Sequence, residues 1–63
     1  MTKPQLWALA ILEEYGSWVC WHQLAANNVS GASVRVLVNE GKVEERESVI
    51  SGVPFREWRI APQ

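Results

Sequence analysis

The sequence predicts an α+β domain in which three short helices precede a β-hairpin. Three observations carry this. Apolar residues recur at helical spacing in three segments before residue 40, Gly or Asn stands after each segment, and the pattern turns to a period of two after Lys42. The 63 residues form a single domain, 1–63. A chain this short buries only about 60% of the surface its unfolded form exposes. Its composition compensates, because 48% of residues are hydrophobic and four are tryptophan, which favours a packed core over disorder.

The first helix is expected at about 3–15. "TKPQ" starts it: Thr2 can accept from the Gln5 backbone, Gln5 can reach back, and Pro4 suits a first turn. At about 100° per residue, Trp7, Ala8, Leu9, Ile11, Leu12 and Tyr15 share one broad face. Leu6 and Ala10 fall on the other side, beside Glu13 and Glu14, and Gly16 ends the helix. "SWVC" reads as a short strand, about 17–19. A second helix follows at about 21–27, with Cys20 in the cap position and Gln23 three residues on. Trp21, Leu24 and Ala25 are its candidates for burial, the two asparagines end it, and Val29 plugs the next turn. Ser30 opens the third helix, about 31–40, and Gly41 closes it. There Val34, Leu37 and Val38 point inward together, while Ala32, Arg35, Val36 and Asn39 lie opposite.

The hairpin occupies 42–60: "KVEERESVI" is a mostly polar strand, "SGVP" a turn, and "FREWRI" an alternating strand. Arg56, Trp58 and Ile60 share one face of that strand, and Phe55, Glu57 and Arg59 share the other. Trp58 and Ile60 are expected to pack on the helices, and "APQ" is a tail. Trp7, Trp21 and Trp58 are expected to form the core, with Trp18 left unassigned.

The composition narrows function. One cysteine excludes an internal disulfide and suits a reducing cytosol. Cys20 and His22 lie two residues apart, do not face each other on a helix, and fall short of a metal's ligand set. No nucleophile–base pair points to an enzyme, and neither a cofactor nor a small-molecule substrate is implied. No leader opens the chain and no apolar run reaches the roughly 20 residues of a membrane span, so the expected location is the cytoplasm. The net charge of −1 lacks the basic excess of a simple nucleic-acid binder. Its distribution qualifies that, because glutamates cluster between 40 and 47 while Arg35 is the only formal charge from 15 to 39.

Taken in order, these elements resemble the winged helix-turn-helix superfamily of DNA-binding domains. "HQLAANNVSGASV" is similar to its helix-turn-helix core, "LVNEGKVEER" to the junction between recognition helix and first wing strand, and "EWRI" to the closing wing strand. The resemblance implies a small transcriptional regulator of bacterial or phage type that places its third helix in the major groove of double-stranded DNA. Base contacts would then come from Ala32, Arg35, Val36 and Asn39: Arg35 suits guanine, Asn39 adenine, and Ala32 or Val36 a thymine methyl. Phosphate contacts would come from Ser30, Gly31 and Ser33 at the helix N-terminus and from Lys42, Arg46, Arg56 and Arg59 in the wing, with Lys3 a further candidate.

Two readings stand for the wing arginines, phosphate contact or pairing with Glu44, Glu45, Glu47 and Glu57 across the hairpin. The apolar wing tip "VISGVPF" suits a minor-groove wedge or a subunit contact. The rival function is a winged-helix protein-interaction module without DNA binding, which the acidic balance favours. Leu6 and Ala10 predict a homodimer interface that would double the phosphate contacts of a domain poor in basic residues.

Overall fold

The computed structural model describes residues 1–62. Its chain order is α1 (Lys3–Tyr15), β1 (Val19–Cys20), α2 (Trp21–Ala26), α3 (Gly31–Asn39), β2 (Val43–Ile50) and β3 (Val53–Ile60). The three strands form one antiparallel sheet in the order β1-β3-β2. The protein is thus a small α+β domain of three helices and a three-stranded sheet. Ala61 and Pro62 follow β3, and the last residue of the expected tail, Gln63, lies outside the described residues.

Local chemistry explains most boundaries. Gln5 N–H donates to Thr2 Oγ1 at 3.4 Å and Thr2 N–H donates to Gln5 Oε1 at 3.2 Å, a reciprocal cap that starts α1. Gly16, left-handed at φ 68°, ends it. Cys20 N–H donates to Gln23 Oε1 at 3.0 Å at the start of α2. Asn28 takes the left-handed conformation (φ 60°) in the turn to α3. Ser30 stands at the N-cap of α3 with extended backbone, but its side chain makes no capping bond. At the other end Lys42 N–H donates to Leu37 O at 2.9 Å, wrapping the chain around Gly41 and launching β2. Ser51 (φ 52°) and Gly52 (φ 79°) make a two-residue turn with both central residues left-handed, so the β3 strand begins at Val53, two residues earlier than expected.

Ala8, Ile11, Leu12, Val19, Leu24, Val29, Val34, Leu37 and Val43 form the core, with Leu9, Val38, Trp58 and Ile60 packed against it. Aliphatic residues therefore fill the interior, and this corrects the expected tryptophan core. Trp7 is 48% exposed and Trp21 43%. Indoles are rarely enclosed completely, and they need a partner for their N–H. Trp7 meets that need at the rim, donating Nε1–H to Asn27 O at 2.6 Å across the α1–α2 junction. Trp21 meets Trp58 edge-on, ring centroids 6.2 Å apart, and its ring lies against Gly31, where an added Cβ would approach it to 3.3 Å. Tyr15 and Ala25, also expected inward, are exposed. Among the described residues no helix is long and apolar enough to cross a membrane.

Candidate interaction surface

Strand alternation sorts the hairpin's charges onto two faces. In the β2–β3 register Val43 opposes Ile60, Glu45 opposes Trp58 and Glu47 opposes Arg56 on the face that meets the helices. Glu44 opposes Arg59, Arg46 opposes Glu57 and Ser48 opposes Phe55 on the other. Trp18, just before β1, belongs to that outer face, since Cys20 two residues on pairs with Glu57. The guanidinium carbons of Arg46 and Arg59 lie 4.2 and 4.6 Å from the Trp18 ring centroid.

Each wing arginine also holds a carboxylate. Arg46 Nη2 lies 3.1 Å from Glu57 Oε1, Arg56 Nη1 2.7 Å from Glu45 Oε1, and Arg59 Nη2 3.5 Å from Glu44 Oε1. Lys42 Nζ lies 3.1 Å from Glu40 Oε2. Of the two readings for Arg46, Arg56 and Arg59, the cross-strand pairs are therefore present in the structure. Glu45 is reached diagonally, while Glu47, directly opposite Arg56, is in no ion pair among the described residues.

The third helix presents a different surface. Ala32, Arg35 and Asn39 are exposed on one side of α3 and Val36 is half-buried between them and the core side. Among the described residues Arg35 is in no ion pair, which sets it apart from every other arginine of the chain. Arg35 and Asn39, one turn apart, line an open cleft of about 240 Å³ between α3 and the hairpin, together with Gly31, Arg56, Trp21 and Trp58. The structure thus brings Arg35, Asn39, Gly31 and Arg56 together and sends Arg46 and Arg59 to the far sheet face.

Ser33 needs a correction. It was expected among the phosphate-contacting residues at the start of α3, but it is only 7% exposed. It lies one turn before Leu37 and so shares the inward stripe, a signal present in the sequence. Ser30 and Gly31 remain exposed. On α1, Leu6 (55% exposed) and Ala10 lie outward. The sequence reading missed the role of Trp18, because its stacking depends on the β1–β3 pairing. Among the described residues no group of three or more His, Cys, Asp or Glu side chains is placed to hold a metal. No protein-family model, curated protein or solved structure matches the chain.

Proposed function

We propose that the chain is a winged helix-turn-helix DNA-binding protein that reads double-stranded DNA with the exposed side of α3. The observation that carries this reading is Arg35: a guanidinium in no ion pair among the described residues, exposed mid-helix, with Asn39 one turn beyond and Ala32 one turn before. These are side chains that suit base edges, guanine and adenine for the first two and a thymine methyl for alanine. The order β1-β3-β2, with a two-residue turn closing the hairpin, agrees with the architecture that the sequence resembles. Arg56 lines the same cleft as Arg35, and in this reading it is the wing residue that touches the backbone of the same duplex.

The test is selection of binding sites from random duplexes with the purified protein and with Arg35→Ala. The native chain is expected to enrich a defined motif, and the variant, still folded, to lose preference at one base pair at a cost of about 1–3 kcal/mol. An unchanged motif from Arg35→Ala sinks the assignment of Arg35, and failure of the native chain to enrich any motif sinks the DNA reading.

A protein-interaction module is the second reading, favoured by Val49, Ile50 and Val53, exposed together at the hairpin tip. Contacts of that apolar kind barely respond to salt, whereas phosphate contacts weaken steeply with it.

A further inference from the structure

Lys3 shares with Arg35 the distinction of being outside the ion pairs found among the described residues. It lies in the first turn of α1, on the exposed side that carries Leu6 and Ala10, with Glu13 and Glu14 at the far end of the same surface. A helix N-terminus carries partial positive charge and its C-terminus partial negative charge. α1 has no acidic residue in its first turn and no basic residue in its last, so its charges run against its own dipole. Among the described residues no ion pair to Lys3, Glu13 or Glu14 offsets that arrangement.

We propose that a second copy of this chain covers this surface, with the two α1 helices packed antiparallel about a two-fold axis. In such a pair, facing residues are those placed symmetrically about the axis. Leu6 and Ala10 are symmetric about the level of Ala8, and so are Lys3 and Glu13. One register therefore seats each Leu6 against the partner's Ala10 and each Lys3 against the partner's Glu13, with Glu14 adjacent. The large side chain meets the small one, which lets the helices approach to the near end of the usual 8–10 Å. Trp7, half-exposed on the flank, extends the apolar strip. The same pairing brings each N-terminus beside the partner's C-terminus, so dipole and side-chain charges both become complementary. Ala32, Arg35 and Asn39 lie on α3, not on the α1 surface that this pairing uses, so the assembly does not rest on the DNA reading.

The competing surfaces fare worse. The free edge of β2 reads Glu44-Glu45-Arg46-Glu47, and two-fold antiparallel pairing of this edge centred on Arg46 sets arginine against arginine and Glu45 against Glu47, while centring on Glu45 or Glu47 sets a glutamate against itself on the axis. The hairpin tip is apolar but has no charge pattern that selects a second copy.

Sedimentation equilibrium across the micromolar range tests the proposal, with folding of each variant checked by circular dichroism. The native chain is expected at twice its 7.1 kDa mass. Lys3→Glu and Glu13→Lys each set like charges against each other and are expected to weaken the dimer at least tenfold. An equimolar mixture of the two restores opposite charges at both contacts and is expected to return to dimer mass, and Leu6→Glu to give monomer. A native chain that stays monomeric at high micromolar concentration overturns the proposal. So does a dimer indifferent to all three substitutions, or one lost through Ile50→Glu instead. A mixture that remains monomeric overturns the register.

Discussion

Trp18 holds more of the hairpin than its position suggests. It lies outside the regular strands, yet both Arg46 and Arg59 lie over its ring while each also holds a glutamate on the neighbouring strand. Ion pairs this exposed are worth only about 0–1 kcal/mol apiece. The ring changes their setting, because a guanidinium stacked on indole gains about 0.5–1 kcal/mol and loses freedom it would otherwise spend in solvent. Arg59 Nε is itself buried, with no hydrogen-bond acceptor among the described residues. Trp18→Leu keeps an apolar side chain but removes the ring, and is expected to lower stability by about 1–2 kcal/mol, two such contacts. Urea unfolding measures this; a loss under 0.5 kcal/mol would mean that the arginines rest on their carboxylates alone. At Asn27 a single residue joins two helices, its side-chain Nδ2 donating to Tyr15 Oη at 3.3 Å and to Gln23 O at 2.8 Å while its backbone carbonyl accepts from Trp7 Nε1–H.

At the scale of elements, the hairpin depends on its turn. Ser51 and Gly52 both adopt positive φ, as a two-residue turn matched to strand twist requires. An added Cβ at Gly52 meets nothing within 4 Å, so its cost is conformational alone. Gly52→Ala is expected to destabilise by about 1–2 kcal/mol, and Ser51→Asn to stabilise slightly, since asparagine tolerates the left-handed region better. Thermal melts of the two variants should move in opposite directions; a common direction would exclude this turn geometry.

Features of this local kind were open to sequence reading: the Thr2–Gln5 cap, the asparagine turn and the glycine that closes α3 each depend on residues a few positions apart. The tryptophans were harder, because burial depends on which distant element covers a side chain. Trp21 has an apolar ring on an apolar arc, but the surface it meets is Gly31 and the edge of Trp58 rather than the interior. The Arg35 surface was legible because α3 buries a narrow stripe and leaves its other side open. The division of wing arginines between two sheet faces followed from period-two alternation, but which face meets α3 required the sheet order.

Across the whole molecule, charge is the quantity that decides how a nearly neutral chain could hold DNA. Lys42, Arg46, Arg56 and Arg59 each sit beside a carboxylate, so little unpaired positive charge is available to a phosphate backbone. A protein that neutralises Z phosphates shows a log–log salt slope near −0.9Z, so the proposed DNA complex is expected to have a shallow slope of only a few units per chain. Position then separates the arginines. Arg56 flanks the cleft beneath Arg35 and can exchange its partner Glu45 for a phosphate, whereas Arg46 lies over Trp18 on the opposite sheet face. Arg56→Gln is therefore expected to weaken binding to all duplexes alike and to make the slope shallower by about one unit, with little change in melting temperature. Arg46→Gln is expected to do the reverse, leaving the slope unchanged and lowering the melting temperature. Salt titrations by fluorescence anisotropy, run beside thermal melts, read both quantities on the same preparations. Equal slope changes from the two substitutions would show that the duplex reaches both faces of the hairpin, and no change from Arg56 would remove the wing from the interface.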